Sequence, residues 1–102
     1  MQFVYITCRD EKEAIEMGQK LLEKKLAACV NIFPGMKSMY RSKGKIEKGT
    51  EVVLLCKTTD TRVMELGDEV RKMHSYEVPA IVAVKADGGD ERYIEWMEGE
   101  IE

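Results

Sequence analysis

The chain has 102 residues, of which 44% are hydrophobic and 34% are charged, and its formal net charge at pH 7 is −3. This length and composition predict a single globular domain over residues 1–102 and exclude a disordered chain, while the negative charge gives no attraction for a polyanion. Three widely spaced cysteines exclude a disulfide framework, and no apolar run approaches the ~18 residues of a membrane span.

The first part of the chain predicts a strand, a helix and a second strand. β-Branched and aromatic residues favour a strand over Phe3–Thr7. Asp10 offers an N-cap with Glu13 three residues later, so we expect a helix over Glu11–Lys25. The second strand, Ala28–Phe33, should stop at the Pro-Gly pair that follows it.

The next connection, Met36–Thr50, is longer than a tight hairpin requires, at about fifteen residues. Both of its halves contain strand-forming residues, and a turn at residues 42–45 separates them. We therefore expect the connection to extend two strands beyond the sheet as a projecting β2–β3 ribbon. An isolated two-stranded ribbon is marginally stable, so this feature predicts an oligomer built by strand pairing with a neighbouring subunit.

The remaining elements repeat the strand–helix–strand order. Val52–Lys57 has the strongest strand pattern in the sequence. Asp60 is the predicted N-cap of a second helix, whose apolar stripe runs from Val63 to Met73. Ile81–Val84 predicts a fourth strand, and Asp90 is expected to cap a C-terminal helix.

This order of elements predicts an α+β fold of the ferredoxin-like, split βαβ type. Two β-α-β halves form a βαββαβ sandwich, with one further helix at the C-terminus. Both main helices should cover one face of an antiparallel sheet. The other face needs cover, which the third helix and a partner chain would supply.

The segment HSYEVPAIVAV, residues 74–84, contains the only histidine, His74, followed closely by Tyr76 and Glu77. One interpretation is structural. His74 lies at the end of a helix, where a positive charge interacts favourably with the helix dipole, and Pro79 holds the residue before it in an extended conformation at the start of a strand. The other is a metal or ligand site in which His74 and Glu77 act together with a cysteine. The residue types alone leave both interpretations open.

Other functions have weaker support in the residues. Zinc sites usually have denser His and Cys spacing, and cysteines beside strands are usually buried. A Cys–His nucleophile requires the fold to bring Cys29 or Cys56 to His74. RNA-recognition modules share this fold class but stack bases on aromatic residues of a central strand, and residues 51–57 contain none, so no nucleic-acid partner is expected.

Several segments together resemble one known family. They are KLAACVNI at residues 25–32, Tyr40 with GKIE at 44–47, LLCKT at 54–58, HSYEVPAIV at 74–82 and YIEWM at 93–97. In order and spacing they resemble the CutA family, the divalent-cation tolerance proteins, over nearly the whole chain. The resemblance implies a single CutA-like domain in a homotrimer similar to that of the PII signalling proteins, with the ribbon reaching a neighbouring subunit. It also implies a role in tolerance of divalent cations, with no enzymatic activity.

The resemblance further implies a polar cleft between subunits, formed by Cys29, Tyr40, Lys57, His74, Tyr76 and Glu77, with Trp96 packing nearby. Tyr40, Lys57, Tyr76 and Glu77 are the expected ligand contacts. His74, Cys29 and Glu77 are the expected ligands of a weakly bound copper or zinc ion. The rival hypothesis is a PII-like sensor of a small organic ligand or anion, with Lys57 and the ribbon cations as the contacts.

The cellular location is predicted from the cysteines and the first residues. An odd number of separated cysteines suits a reducing compartment. The first five residues do not resemble the start of a signal peptide. We therefore expect a cytoplasmic protein with no membrane partner.

Overall fold

The computed structural model describes residues 1–102 as four strands and three helices. In chain order they are β1 (Gln2–Cys8), α1 (Glu11–Glu23), β2 (Cys29–Ser42), β3 (Lys45–Thr58), α2 (Val63–Met73), β4 (Ile81–Lys85) and α3 (Glu91–Ile101). The strands form one antiparallel sheet in the order β2-β3-β1-β4. The predicted α+β, ferredoxin-like arrangement with a C-terminal helix is confirmed. None of the helices is long and apolar enough to cross a membrane.

The predicted ribbon is present, and it continues β2 and β3 without a break in the strands. These strands pair from Cys29 opposite Lys57 to Ser42 opposite Lys45, with one register shift between Phe33 and Met36. The prediction that the second strand stops at the Pro-Gly pair is wrong, because a bulge accommodates a proline that cannot donate to the ladder. No residue from 36 to 50 is buried, and the molecule is 45 Å long but only 26 and 22 Å across.

The helix ends agree with the sequence at two caps and differ at a third. The Asp10 side chain accepts the Glu13 N–H at 2.8 Å, and Asp90 caps α3 in the same way. The prediction that Asp60 caps α2 is wrong: the helix begins after Arg62 without a side-chain cap. Asp60 instead accepts a hydrogen bond from Gln2 and pairs with Lys85, because the turn that carries it lies against β1 and β4.

The main core lies between the sheet and the helices α1 and α2. Thirteen buried residues form it: Val4, Ile6, Cys8, Ala14, Met17, Leu21, Leu26, Ala27, Val52, Leu54, Cys56, Leu66 and Val70. Alternate residues of β1 and β3 enter this core, as the period of two in a strand requires. At its edge the buried Thr58 hydroxyl donates to the Leu26 carbonyl at 2.6 Å.

The opposite face of the sheet is only partly covered. Helix α3 lies against β3, with Met97 and Ile101 buried outside the main core. Beyond α3, the side chains of Phe33, Val82 and Val84 remain more than half exposed. This part of the sheet is called the bare face below.

Candidate functional site

A cleft of about 800 Å³ lies where the ribbon leaves the bare face of the sheet. Three of the four tyrosines of the chain line it, namely Tyr5, Tyr40 and Tyr76. Glu51 supplies a carboxylate, and Val78 supplies apolar surface. With Lys37 also in the lining, the cleft combines aromatic side chains, charges of both signs and apolar surface, as small-ligand sites do.

Tyr76 and Glu51 are the polar pair of this cleft. The Tyr76 hydroxyl donates to Oε2 of Glu51 at 2.9 Å. Burial and this hydrogen bond, with the charge of Glu51, raise the pKa of Tyr76 to about 12. The phenol is therefore a neutral hydrogen-bond donor at physiological pH. Glu51 and Tyr5 were missed in the sequence because their place at the cleft depends on strand register, which the local pattern does not specify.

His74 has a structural role in this arrangement. Its backbone ends α2, donating to the Val70 carbonyl at 3.0 Å. Its Nδ1 accepts the Tyr76 N–H at 3.0 Å, so the neutral ring carries its proton on Nε2, which donates to the Thr7 carbonyl at 2.7 Å. The His74 and Tyr76 rings are 4.8 Å apart. Both ring nitrogens are thus engaged before any ion arrives.

His74 also belongs to a group that could hold a metal ion, with Cys8 and Glu13, whose ligand atoms all lie within 4.8 Å of one another. Two of its three members are already held by hydrogen bonds: His74 through both ring nitrogens, and Glu13, which accepts the Arg9 N–H at 2.8 Å and the Ser75 N–H at 2.9 Å. Burial, followed by nearby carboxylates, raises the pKa of Cys8 to about 12, so its thiol is protonated. The donor set fits a metal poorly in this conformation, because His74 and Glu13 would have to release these hydrogen bonds before they could bind an ion.

A second polar cluster lies where α3 covers β3. The Lys57 ammonium donates to the Tyr93 hydroxyl at 3.0 Å and lies 5.2 Å from the centre of that ring. The hydrogen bond to Tyr93 raises the pKa of Lys57. The Trp96 ring lies 5.7 Å from Tyr93, and Cys29 is the strand partner of Lys57. The cluster therefore combines a cation, two aromatic rings and a free thiol.

Four of the six predicted site residues lie in these two places, and His74 and Glu77 lie in neither. Tyr40 and Tyr76 line the cleft, while Cys29 and Lys57 lie in the second cluster. Lys57 pairs with both Cys29 and Phe3, so Cys29 lies at the height of Phe3 in the sheet. His74 instead contacts Thr7, four residues further along β1, and four residues of strand span about 13 Å. Glu77 is exposed on the segment after α2. One protomer therefore does not bring His74, Cys29 and Glu77 together.

Proteins with similar sequences cover nearly the whole chain. The divalent-cation tolerance protein CutA of Archaeoglobus fulgidus is 44% identical over 100 residues, which is 98% of this chain and 97% of that protein. The human protein CutA is 42% identical over 93 residues, and the chain spans about half its length, 52%. These relatives carry the names of tolerance proteins or CutA proteins rather than the names of enzymes.

Solved structures agree with the fold over the full length. A CutA structure from Archaeoglobus fulgidus has a TM-score of 0.95 at 44% identity and covers 100% of both chains. One from Xylella fastidiosa has a TM-score of 0.96 at 35% identity, covering 99% of this chain and 97% of that one. Both similarities extend over the sheet, the ribbon and all three helices.

The predicted cytoplasmic location is overturned by these relatives. The Archaeoglobus fulgidus structure is described as periplasmic, and a relative from Arabidopsis thaliana, 35% identical over 94 residues, as chloroplastic. The prediction relied on the free cysteines, but Cys8 and Cys56 are buried in the core as small apolar side chains. Their reduced state therefore carries no information about the compartment.

The family comparison agrees with the resemblance in the sequence motifs. The model of the family described as CutA1 divalent ion tolerance protein matches residues 2–100. Together with the relatives and the shared fold, this match means that the chain belongs to the CutA1 divalent ion tolerance protein family.

Proposed function

We propose that the chain acts in divalent-cation tolerance or response as a non-enzymatic homotrimer that binds its ligand in clefts between subunits. The observation that carries this proposal is the position of the cleft at the base of the ribbon, beside the bare face. A neighbouring subunit that covers the bare face would also close the open side of the cleft. Copper and zinc are the proposed ligands.

The exposed apolar surface supports the trimer. Phe33, Val82 and Val84 on the bare face are joined by Met39 and Ile46 on the ribbon, all more than half exposed. Large apolar side chains exposed on one sheet face and on the ribbon are typical of a protein interface. The ribbon buries no side chain within its own protomer, so pairing with another copy supplies the stability that it lacks.

The proposed metal site uses residues from two subunits. His74 or Glu77 of one copy would act with Cys29 of another, because one copy separates them. Tyr40, Tyr76 and Lys57 would contact the ligand around the ion. His74 can offer Nδ1 only after it releases the Tyr76 N–H, a loss of about 1 kcal/mol for one hydrogen bond, so the binding is weak.

Native mass spectrometry and calorimetry test this proposal. We expect three copies in the native mass spectrum, and heats of zinc and copper binding that are lost in His74→Ala and in Cys29→Ala. Cys8→Ala is the control, because Cys8 is a buried thiol of the same protomer and is not part of the proposed site. A lone protomer contradicts the trimer, and equal heats in all variants contradict these ligands.

The second candidate is a PII-like sensor of a small organic ligand or anion. The observation that favours it is the Lys57 ammonium held against Tyr93, with an exposed basic ribbon in the same chain. A ligand that binds only the folded state raises the thermal midpoint. A screen of nucleotides and organic acids that raises the midpoint of the wild type but not of Lys57→Gln would favour the sensor over the metal site.

A further inference from the structure

The buried carboxylate of Glu13 joins two distant parts of the chain. Oε1 accepts the N–H of Arg9, the residue before the N-cap of α1, at 2.8 Å. Oε2 accepts the N–H of Ser75, 62 positions away, at 2.9 Å. The Arg9 guanidinium pairs with Asp10, so two backbone donors rather than a cation hold the charge of Glu13. Burial raises the pKa of Glu13, but these donors outweigh it and the net pKa is lowered.

The bond to Ser75 fixes the segment that carries Tyr76. Immediately before Ser75, the His74 ring is held on the Thr7 carbonyl through Nε2. Immediately after it, the Tyr76 N–H donates to Nδ1 of His74, and the two rings lie 4.8 Å apart. The backbone and the ring of Tyr76 therefore depend on a segment whose position Glu13 and Thr7 set.

The same segment passes from the helix layer to the other face of the sheet. Ser75 lies in a groove with residues of α1, whereas Tyr76 lines the cleft at the base of the ribbon. There the Tyr76 hydroxyl donates to Glu51 at 2.9 Å. Two hydrogen bonds, joined by the covalent chain from Ser75 to Tyr76, thus connect Glu13 on α1 to Glu51 in the cleft.

We propose that Glu13 is a positioning residue of the cleft, which acts through Ser75 and His74 to hold Tyr76 against Glu51. The inference rests on the proposed function only in treating this cleft as the ligand site. Glu13 does not touch the ligand, because it lies on the helix side of the sheet. It determines where the phenol of Tyr76 stands when the ligand arrives.

A purely local role for Glu13 would use one of its two oxygens. A capping box at the start of α1 requires the carboxylate to reach only a backbone N–H that precedes the helix, as Oε1 does. The bond from Oε2 to Ser75 adds nothing to that cap. The bond to Ser75 therefore indicates that Glu13 positions the cleft in addition to stabilising the helix.

The test compares Glu13→Gln with Glu16→Gln by NMR. Glutamine keeps the shape of Glu13 but replaces one accepting oxygen with an NH₂ group. Because Arg9 and Ser75 donate to different oxygens, the variant can keep only one of these bonds in the native geometry. We expect the amides of Ser75 and Tyr76 to exchange about tenfold faster in Glu13→Gln, as the loss of one hydrogen bond predicts. The ring signals of Tyr76 should also shift, because the ring moves relative to His74. Glu16→Gln, which changes an exposed residue of the same helix, should do neither.

The ring signals distinguish positioning from stability, since a less stable protein still gives the native Tyr76 shift in its folded state. Unchanged Tyr76 signals, or faster exchange of Ser75 alone, would overturn the proposal. If Glu13→Gln does not fold, Ser75→Pro removes the donor while Arg9 keeps its bond. His74 already has the extended geometry that a residue before proline adopts, with φ −72° and ψ 139°.

Zinc titration of the same variants separates this inference from the proposed function. We expect the zinc affinity of Glu13→Gln to differ from that of Glu16→Gln by up to about tenfold, the factor that one hydrogen bond represents, because Ser75 anchors the segment that carries both His74 and Tyr76. A wild type without any zinc heat contradicts the proposed metal ligand, and the exchange and ring signals still decide the role of Glu13. Displaced Tyr76 signals with unchanged zinc affinity would overturn the link from Glu13 to the ligand.

Discussion

The Tyr76 hydroxyl donates to Glu51 at 2.9 Å, and this bond connects the segment after α2 to the strand that continues into the ribbon. The two residues are 25 positions apart in sequence. Both residues line the cleft, so the bond joins two of its walls. It also gives this part of the molecule a characteristic dependence on pH.

The unfolding free energy of Tyr76→Phe should fall less steeply at high pH than that of the wild type. The pKa of Tyr76 is raised from 10.0 to about 12 in the folded protein, so its contribution is complete below pH 10.0 and is lost as the pH rises through about 12. Urea unfolding of both proteins between pH 8 and 11 measures this difference. The gap in unfolding free energy between wild type and variant should narrow above pH 10.0. A constant gap would mean that the phenol ionises as freely as in the unfolded chain.

The unfolding free energy of Glu13→Gln should fall less steeply at low pH than that of the wild type. The folded-state pKa of Glu13 is lowered from 4.5, so its contribution is present above pH 4.5 and is lost as the pH falls through the lower, folded value. The wild type should therefore exceed Glu13→Gln most at neutral pH, and the difference should shrink in acid. Unfolding of Glu16→Gln over the same range serves as the control. An acid profile that is the same in all three proteins contradicts the prediction.

Two glycines in helices should respond in opposite ways to alanine. A Cβ at Gly18 would lie 3.0 Å from Cγ2 of Val30, a tight contact, and we expect the resulting strain to exceed the gain in helix propensity, so Gly18→Ala should lower the thermal midpoint. A Cβ at Gly67 would meet the Arg71 guanidinium at 3.6 Å, an ordinary contact. Gly67→Ala should therefore raise stability by roughly 0.5–1 kcal/mol through its helix propensity. Calorimetry of both variants checks the signs, and a rise for Gly18→Ala would show that Val30 yields without cost.

Thr58→Val should destabilise the domain by about 1–3 kcal/mol. The valine has nearly the same shape, but it leaves the Leu26 carbonyl without the hydroxyl that now donates to it at 2.6 Å in a buried environment. Thr58→Ser keeps that donor and should retain more of the stability. Urea unfolding gives the comparison. Equal losses in the two variants would assign the effect to the methyl group instead of the hydrogen bond.

Phe33→Lys should dissociate the proposed trimer. Phe33 is about half exposed on the bare face, at 52%, and a buried unpaired ammonium in an interface is costly. Ile15→Lys is a matched control, because Ile15 is equally exposed, at 51%, but lies on the outer side of α1. Sedimentation should give a smaller mass for Phe33→Lys and an unchanged mass for Ile15→Lys. The same mass for both would place the interface elsewhere.

The order of elements could be predicted because each one has a local signal. The strand composition of Phe3–Thr7 and the caps at Asp10 and Asp90 are properties of neighbouring residues, and the structure agrees with all three. Asp60 has the same local signal, but it does not cap α2. Its carboxylate finds better partners on β1 and β4, which are far away in sequence.

The candidate site could be predicted only in part for the same reason. Tyr40 and Tyr76 followed from the family resemblance and do line the cleft. Glu51 was missed because its place opposite Met36 follows a bulge that shifts the strand register. Glu13 was predicted as a cap, but its second oxygen reaches Ser75 only because the two halves of the fold pack together. A sequence pattern within one helix contains no information about that contact.

The length of the ribbon is not fixed by packing within the protomer. It ends in a two-residue turn at Lys43 and Gly44, both with positive φ, and nothing between residues 36 and 50 is buried. Adding one residue to each strand beside the turn would lengthen the ribbon by about 3.4 Å and leave every pairing nearer the sheet in place. Insertions at the tip could therefore adjust its reach in small steps, at little cost to the core from which it extends.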